Sequence, residues 1–270
     1  MKPVTLITGA SAGIGAELAR VFAAHGHELV LVARREGPLV SLAEEIAAAG
    51  GPRPTVLNVD LGRRDAVSIL ASELMARGLE PAIVVNNAGF GLVGSAATLS
   101  RHEQLAMIDL NVRALTDLSL AFVESLARHR GGILNVASVA AFMPGPGMAV
   151  YYASKAYVLS LSQALHHELS RHGVRVTALC PGPVATEFQA RAGLDSDRAQ
   201  TALLSLSADR VARIGYNGFM RGKRVVVAGI GNQISLLLLR IVPNGALLPL
   251  LHRAMRFAAG DAEQPRAPAS

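Results

Sequence analysis

The chain has 270 residues, of which 51% are hydrophobic and 17% charged, and its formal net charge is +6. A composition this apolar excludes an intrinsically disordered chain and suits one α/β domain of ordinary size. The single cysteine, Cys180, excludes an internal disulfide framework and fits a reducing compartment. The basic residues are scattered and only 4% of the residues are aromatic, with no tryptophan, which argues against a nucleic-acid partner.

Strand-like and helix-like segments alternate along the chain, the pattern of βαβ units and of a parallel sheet. We predict one domain over residues 1–259, an α/β fold in which helices flank a seven-stranded parallel sheet. The predicted strands are residues 4–8, 28–33, 55–59, 83–86, 132–137, 175–179 and 224–228. The predicted helices are residues 14–25, 38–49, 64–77, 101–128, 152–171 and 208–220.

The first strand runs into a glycine-rich turn, residues 8–15, with the spacing T-G-x-x-x-G-x-G. Backbone N–H groups of such a turn can approach a pyrophosphate, and the helix that opens at Ile14 directs its positive end toward that charge. A tight turn that requires positive φ is the alternative interpretation of the glycines alone. The turn indicates an anion site at the start of the fold.

The second strand ends on Ala33 and is followed by Arg34, Arg35 and Glu36. An acidic residue at this position of a nucleotide-binding fold pairs with a free ribose hydroxyl, whereas a guanidinium binds a phosphate bidentately. Arg34 therefore favours a nucleotide with an additional phosphate. The alternatives are that both arginines are exposed loop charges, or that Glu36 turns back to the ribose.

Two further polar segments lie at strand ends. Asp60-Leu61 ends the third strand, where Asp60 would also serve as a helix N-cap. Residues 86–89, Asn-Asn-Ala-Gly, close the fourth strand, and although they would fit a simple turn, ligands of open parallel sheets lie at this edge.

Tyr151 and Lys155 are one helical turn apart in a predicted helix and share a face, so an ammonium can lie beside a phenol. Tyr152 is three residues before the lysine, and we expect it to face elsewhere and to pack. Ser138 after a strand and Asn111 in a helix would ordinarily be a cap and a solvated residue.

With these motifs in this order, the sequence resembles the short-chain dehydrogenases/reductases over nearly its whole length, from Val4 to about Ala228. The resemblance implies a Rossmann-type, doubly wound fold and an oxidoreductase that interconverts a carbonyl and a secondary alcohol with NADP(H) or NAD(H). The catalytic residues that it implies are Asn111, Ser138, Tyr151 and Lys155. The cofactor-binding residues that the motifs and the resemblance give are Gly9, Ser11, Gly13, Ile14, Gly15, Arg34, Asp60, Leu61, Asn87, Ala88, Gly89, Tyr151, Lys155, Pro181, Gly182, Val184 and Thr186.

The resemblance also implies roles. Tyr151 would be the general acid in reduction and the general base in oxidation, Lys155 would activate it and hold the nicotinamide ribose, and Ser138 would bind the substrate oxygen. Asn111, which the resemblance places in a kinked helix, would fix a water that links Lys155 to solvent. Lowering the pKa of a phenol by about three units corresponds to ~4 kcal/mol. An ammonium at ~5 Å supplies ~3 kcal/mol of this if the effective dielectric is ~20.

The cofactor contacts are divided among the other motifs. Asp60 and Leu61 would contact the adenine, and residues 181–186, Pro-Gly-Pro-Val-Ala-Thr, would hold the nicotinamide carboxamide and the pyrophosphate. Because Ala33 stands where NAD(H) enzymes have an acid and Arg34 follows it, NADP(H) is favoured over NAD(H).

The substrate is less well defined. Residues 184–206 correspond to the variable substrate lid of the family. Phe90, Phe142, Met143 and Pro144 are predicted near the catalytic end, which favours a bulky, hydrophobic carbonyl or alcohol, although the same residues would fit an ordinary core. The eight histidines show no metal-ligand spacing, so no metal is expected.

The chain continues beyond the last strand with an apolar helical extension, residues 230–257, and a tail, residues 260–270, that we expect to be disordered. The extension would be a flap over the substrate pocket, an oligomer contact or, through residues 234–256, a peripheral membrane contact. We expect a homodimer or homotetramer that pairs through the helix after Tyr151, and a cytoplasmic protein. The alternative functions are a nucleotide-bound sensor or scaffold without catalysis and a membrane-surface-associated reductase of lipid-like or steroid-like substrates. Sensors of this kind usually lose the Tyr or the Lys, and both are present.

Overall fold

The computed structural model describes residues 1–184, 186–193, 205–239 and 248–249, apart from the side chains of Ala190 and Arg191. Its centre is a seven-stranded sheet in which every neighbouring pair is parallel, with the order β3-β2-β1-β4-β5-β6-β7. The strands are β1 Lys2–Thr8, β2 Leu29–Ala33, β3 Thr55–Asn58, β4 Leu79–Asn86, β5 Gly132–Val136, β6 Arg175–Cys180 and β7 Val225–Val227. The predicted doubly wound α/β fold is therefore confirmed.

Helices cover both faces of this sheet. The helices are α1 Gly13–Ala24, α2 Glu36–Ala48, α3 Ala66–Ala76, α4 Arg101–Ile108, α5 Leu115–Ala121, α6 Val123–Arg128, α7 Ala149–Ser170, α8 Glu187–Ala192, α9 Ala208–Met220 and α10 Ile230–Leu239. A π-helical segment, Asp109–Ala114, lies between α4 and α5, and a 3₁₀ turn, Val139–Phe142, follows β5.

Successive side chains of a strand point to opposite faces of the sheet, and helices cover both faces. The strands are therefore apolar on both faces. Leu6 and Ile7 of β1 are both fully buried but belong to different apolar clusters. Ile7 packs in the cluster that contains Phe22 of α1 and Phe219 of α9. Leu6 packs in the cluster that contains Leu70 of α3 and residues of α5, α6 and α7. This two-sided burial fixes the direction in which every strand presents its carboxyl end.

The predicted helix over residues 101–128 is not one continuous element, and its irregular part contains Asn111, where the resemblance implies a kink. The structure breaks it at the π-helical segment and again at Phe122, between α5 and α6. The extra residue of a π-helical turn changes which side chains face inward. It places Asn111, 1% exposed, toward the sheet.

The C-terminal part is described only in part. Helix α10 exposes Ile230, Ile234, Leu237 and Leu238, but most of the predicted extension and all of the tail lie outside the described residues, as do residues 194–204 of the predicted lid. None of the described helices is long and apolar enough to cross a membrane. Within the same ranges, no group of three His, Cys, Asp or Glu residues is placed to hold a metal ion.

Candidate active site

A crevice of about 850 Å³ opens at the carboxyl ends of the strands. It lies across the point where the strand order reverses, between β1 and β4, which is where ligands bind in open α/β sheets. Its walls come from the segments that follow six strands, from the glycine turn after β1 to Pro181 and Gly182 after β6. The topology therefore brings motifs that are far apart in sequence to one edge.

Two glycines of the turn have the positive φ that its interpretation as a tight turn requires. Gly9 and Gly13 have φ of +64° and +56°, which L side chains rarely adopt. A Cβ on Gly15 would lie 2.3 Å from the Gly9 carbonyl oxygen. At the glycine positions no Cβ obstructs the turn, as a backbone cradle for a pyrophosphate requires.

Gly15 itself does not line the crevice, although it was expected among the cofactor-binding residues. It is buried behind the turn, where the absence of a side chain lets α1 begin directly against the Gly9 carbonyl. Its contribution is to the shape of the turn. The other expected cofactor-binding residues all line the crevice.

The Asn-Asn-Ala-Gly segment supports the turn from the neighbouring strand. The Asn87 amide nitrogen donates to the carbonyl oxygens of Thr8 and Gly9, at 3.0 and 3.1 Å. The backbone N–H groups of Asn87 and Ala88 donate to Thr8 Oγ1, at 3.0 and 3.1 Å. The two motifs therefore form one hydrogen-bonded unit across β1 and β4.

Tyr151, Ser138 and Lys155 line one part of the crevice, together with Met148 and Phe188. We call these five residues the tyrosine end. Tyr151 and Lys155 lie in α7, and the Lys155 Nζ atom is 5.8 Å from the centre of the Tyr151 ring. The Lys155 ammonium donates to the Val136 carbonyl oxygen at 2.9 Å. Ser138 also accepts from the Ala140 N–H and so begins the 3₁₀ turn, as well as facing the crevice.

Asn111 does not line the crevice, and its side chain lies behind this end. Its amide nitrogen donates to the Phe90 carbonyl oxygen and to Ser154 Oγ, at 2.9 and 3.1 Å, and its oxygen accepts from the Phe90 N–H at 3.1 Å. Asn111 thus joins the loop after β4 to α7, next to Lys155. The side chain positions these segments.

The electrostatics at this end differ from those that the Tyr–Lys spacing predicts. Burial raises the pKa of Tyr151 to about 12, and a hydrogen bond with Ser138 opposes this effect only in part. Burial also lowers the pKa of Lys155 to about 8. Desolvation of the buried phenol is the largest cause of the upward shift in the Tyr151 pKa, and the Lys155 Nζ atom, 5.8 Å from the ring centre, does not reverse it.

A second part of the crevice wall, which we call the basic end, contains Ser11, Arg34, Arg35 and Glu187. Arg35 donates to Glu187 Oε2 at 2.6 Å and lies 3.4 Å from Ser11 Oγ. Glu36, which was considered as a ribose partner, is the first residue of α2 and is absent from the crevice wall. The carboxylate that does reach this end, Glu187, was missed because it is 152 residues away from Arg35 in sequence.

Asp60 lines the crevice, but the alternative role considered for it is wrong. Its Oδ1 atom accepts from the Gly62 N–H at 3.0 Å, which closes a turn, and α3 begins only after Asp65. Leu61, which follows it, is buried in the crevice wall.

The apolar part of the tyrosine end is formed by residues other than those expected. Phe90, Phe142, Met143 and Pro144 do not line the crevice. Phe90 is buried below the wall, against Met107, Ala140, Met148 and Tyr151. The lining residues include Val139, Ala140, Met148, Tyr152 and Phe188.

Phe188 of α8 and Tyr152 flank the candidate acid. The Phe188 and Tyr151 ring centres are 5.5 Å apart, and Tyr152 meets Tyr151 edge-on at 6.1 Å. Tyr152 packs, as expected, with its ring against Gly145, where a Cβ would lie 2.3 Å from ring atoms. It also lines the crevice, because α7 begins at Ala149 and already follows the crevice wall at this position.

Cys180, the last residue of β6, is fully buried, and burial raises the pKa of its thiol to about 12. The thiol is therefore a small core group, as its position in the sequence predicts.

Comparison with known proteins agrees with the fold and the crevice. The sequence profile of the short chain dehydrogenase family matches residues 3–197. Sulfoacetaldehyde reductase 2 of Chromohalobacter salexigens is 37% identical over 221 residues, which cover 79% of this chain and 87% of that protein.

Two solved structures are also similar. A short-chain dehydrogenase from Sphingobium yanoikuyae in complex with NADPH is 33% identical, with a TM-score of 0.78 over 98% of this chain and 99% of that chain. A bulky-bulky ketone specific alcohol dehydrogenase from Comamonas testosteroni is 28% identical, with a TM-score of 0.73 over 100% of this chain and 97% of that chain.

The chain therefore belongs to the short-chain dehydrogenase/reductase family. It is an NAD(P)-dependent oxidoreductase that acts on alcohol or carbonyl substrates.

Proposed function

We propose that the protein is an NADP(H)-dependent oxidoreductase that interconverts a hydrophobic ketone and the corresponding secondary alcohol, with Tyr151 as the general acid/base. The observation that carries this proposal is the tyrosine end itself, where a phenol, a serine hydroxyl and an ammonium line one apolar crevice wall. A sensor without catalysis would have no need for these three groups in one buried wall.

The residues of the crevice fit a dinucleotide. The glycine turn offers backbone N–H groups without Cβ atoms in the way, and Asn87 holds it in place. Asp60 and Leu61 would hold the adenine, the segment from Pro181 to Thr186 the pyrophosphate and the carboxamide, and Arg34 a 2′-phosphate. When bound, the nicotinamide supplies or accepts the hydride.

The protein residues move the proton that must accompany hydride transfer. Because burial raises the pKa of Tyr151 to about 12, this residue holds its proton at neutral pH, which is the state that a general acid requires in reduction. Ser138 would orient the carbonyl oxygen through its hydroxyl, and the Lys155 ammonium would hold the ribose hydroxyls. Asn111 keeps α7 and the loop after β4 in place, and a water on the path from Lys155 to solvent would complete the proton route.

The substrate follows from the charges and the lining of the crevice. Its cations among the described residues are Arg34, Arg35 and Lys155, and Lys155 already donates to Val136. The tyrosine end therefore offers apolar side chains, Val139, Ala140, Met148 and Phe188, rather than a second cation for an anionic substrate. A neutral, apolar ketone fits this end better than sulfoacetaldehyde, the anionic compound for which the relative from Chromohalobacter is named.

The assembly that we propose is a homodimer or homotetramer formed through α7 and α5. Tyr157 of α7 and Leu120 of α5 are exposed large side chains on this side of the molecule. Small residues such as Ala153 and Ala156 would let a second helix approach closely. Sedimentation of the full chain, compared with a Tyr157→Glu variant, measures this assembly directly.

The catalytic assignment is tested with two matched variants, Tyr151→Phe and Tyr152→Phe, assayed with NADPH and a panel of bulky ketones. Removing the acid at position 151 should lower kcat by about 10²–10⁴-fold and leave the NADPH dissociation constant within about twofold. Tyr152→Phe, which removes an equivalent hydroxyl from the next residue, should retain most of the activity. Equal losses in the two variants, or normal turnover by Tyr151→Phe, would refute the assignment.

A further inference from the structure

The Arg35–Glu187 ion pair is a feature of the basic end that the proposed function does not use. One guanidinium nitrogen of Arg35 lies 2.6 Å from Glu187 Oε2 and 3.4 Å from Ser11 Oγ. These residues belong to the segment before α2, the first turn of α8 and the glycine turn. All three line the crevice in which the cofactor is proposed to bind.

The Arg35 guanidinium is a candidate site for a phosphate, and the Glu187 carboxylate already occupies it. A guanidinium binds carboxylates and phosphates through the same planar set of N–H donors. Glu187 therefore uses a donor of Arg35 that a phosphate oxygen would also use. Arg34, the neighbouring cation, has no such ion pair within residues 1–184, 186–193 and 205–239.

The contact is also exchangeable. The side chains of Arg35 and Glu187 are 52% and 65% exposed. Exposed ion pairs contribute little to stability and are screened by salt. A phosphate group carries more negative charge than one carboxylate, so it competes well for the same guanidinium.

The displaced carboxylate would nevertheless remain close. Thr186, the preceding residue, packs on the glycine turn, where its γ-methyl carbon lies 3.1 Å from the position of a Cβ on Gly13. The Val93 N–H donates to the Ala192 carbonyl oxygen at 2.9 Å and holds the other end of α8. Glu187 is therefore kept at the rim of the crevice whether or not Arg35 is its partner.

We propose that Glu187 determines cofactor choice by competing with the 2′-phosphate of NADP(H) for the Arg35 guanidinium. NADPH must displace this carboxylate, whereas NADH, which lacks the phosphate, leaves the ion pair intact. The protein thus binds NADPH more weakly than its two arginines alone would allow. This inference rests on the proposed use of NADP(H).

The test is the binding of NADPH and NADH to the full chain, measured by calorimetry without substrate. Glu187→Gln removes the charge and retains the size of the side chain. The dissociation constant for NADPH should fall by about three- to fivefold, and that for NADH should stay within about twofold. Two fragments without the nicotinamide repeat the test: 2′,5′-ADP, which carries the 2′-phosphate, should bind more tightly to Glu187→Gln, and 5′-AMP, which lacks it, should bind as it does to the wild type.

Two controls separate competition from a general change in charge. Glu36→Gln makes the same change in net charge on the residue next to Arg35, outside the crevice wall, and should alter the NADPH to NADH ratio by less than about twofold. In an Arg35→Gln background, Glu187→Gln should no longer improve NADPH binding selectively, since the shared guanidinium is gone.

The outcomes are distinct. An unchanged ratio in Glu187→Gln, or an equal effect of Glu36→Gln, overturns the competition. Weaker NADH binding in Glu187→Gln also overturns it, because Glu187 would then hold the ribose hydroxyl of NADH. Failure of the proposed NADP(H) preference appears instead in the wild-type chain, as NADPH binding no tighter than NADH binding.

Discussion

The two ends of the crevice differ in burial as much as in chemistry. At the tyrosine end, Tyr151 and Lys155 are 9% and 5% exposed, whereas at the basic end more than half of the surface of Arg35 and Glu187 is exposed. A buried group loses or gains a proton at a large cost in solvation, while an exposed ion pair exchanges partners at little cost. The comparison indicates that substitutions at the tyrosine end change proton transfer and the binding of substrate and nicotinamide, whereas those at the basic end change the choice of cofactor.

The largest effect on cofactor binding is expected from a substitution in the glycine turn, because both ends of the crevice depend on its backbone. In Gly15→Ala the new Cβ would lie 2.3 Å from the Gly9 carbonyl oxygen and 2.4 Å from the Asn87 amide nitrogen, so the turn must move. We expect binding of NADPH and of NADH to weaken by about 10²-fold or more, by equal factors.

Gly37→Ala is the matched control, because a Cβ there would meet nothing within 4 Å. It should bind both cofactors normally, because the added methyl group lies in the first turn of α2, away from the glycine turn. Unequal losses for the two cofactors in Gly15→Ala would contradict a turn that both ends share.

The next effect is the pH dependence of cofactor binding through Lys155. Burial lowers the pKa of this ammonium to about 8, so the charge that would hold the ribose is present below about pH 8 and is lost above it. NADPH affinity should therefore fall above pH 8, by up to about tenfold per pH unit.

Lys155→Met should bind NADPH weakly at every pH, with no break near pH 8. Calorimetric titrations between pH 6.5 and pH 9.5 make the comparison. A break of the same size in Lys155→Met would assign the pH dependence to another group.

A smaller effect is expected from the apolar side of the tyrosine end. Phe188 is 5.5 Å from the Tyr151 ring and lines the crevice, so Phe188→Ala removes a contact surface without removing a proton donor. We expect kcat/KM for compact apolar ketones to fall by about three- to tenfold, mainly through KM, with less loss for bulkier ketones.

Phe188→Leu, which keeps an apolar side chain there, should fall in between. A loss confined to kcat and equal for all ketones would place Phe188 in the proton path instead.

The smallest effect concerns His27, outside the crevice, and tests whether burial lowers the pKa of a basic group there as it does at Lys155. Burial, followed by the charges of His25 and Arg175, lowers the pKa of His27. The unfolded chain then binds a proton more readily than the folded chain, so stability is complete above the ordinary histidine pKa and falls as pH drops below it.

His27→Gln should reduce this loss, measured as the change in Tm between pH 7 and pH 5.5, by about 1–3 °C. His102→Gln, at an exposed position, should leave the loss unchanged. A steeper acid loss in His27→Gln than in the wild type would contradict the sign of the shift.

The sequence was sufficient for those parts of the protein that depend on local patterns. The alternation of strands and helices predicted the parallel sheet, and the glycine spacing predicted the strand-to-helix turn that lines the crevice. Ser138, Tyr151 and Lys155 were also expected together, and the structure places them at one end of one crevice.

Features that depend on tertiary contacts could not be predicted in the same way. The π-helical segment around Asn111 has no local signal, because it is stabilised by bonds to Phe90 and Ser154. Glu187 and Phe188 lie in a short helix whose position depends on contacts with the glycine turn and with Tyr151. The raised pKa of Tyr151 depends on how deeply the wall is buried, which residue spacing does not report.

The burial of Cys180 has a practical consequence for measuring where Glu187 lies when a cofactor binds. This residue is the only cysteine of the chain, and its thiol is fully buried with a pKa of about 12. Maleimide dyes and nitroxide spin labels react with accessible thiolates, so the native protein provides a silent background for them. A single cysteine introduced at an exposed site near the rim would thus carry the only label, without any need to replace the native residue first.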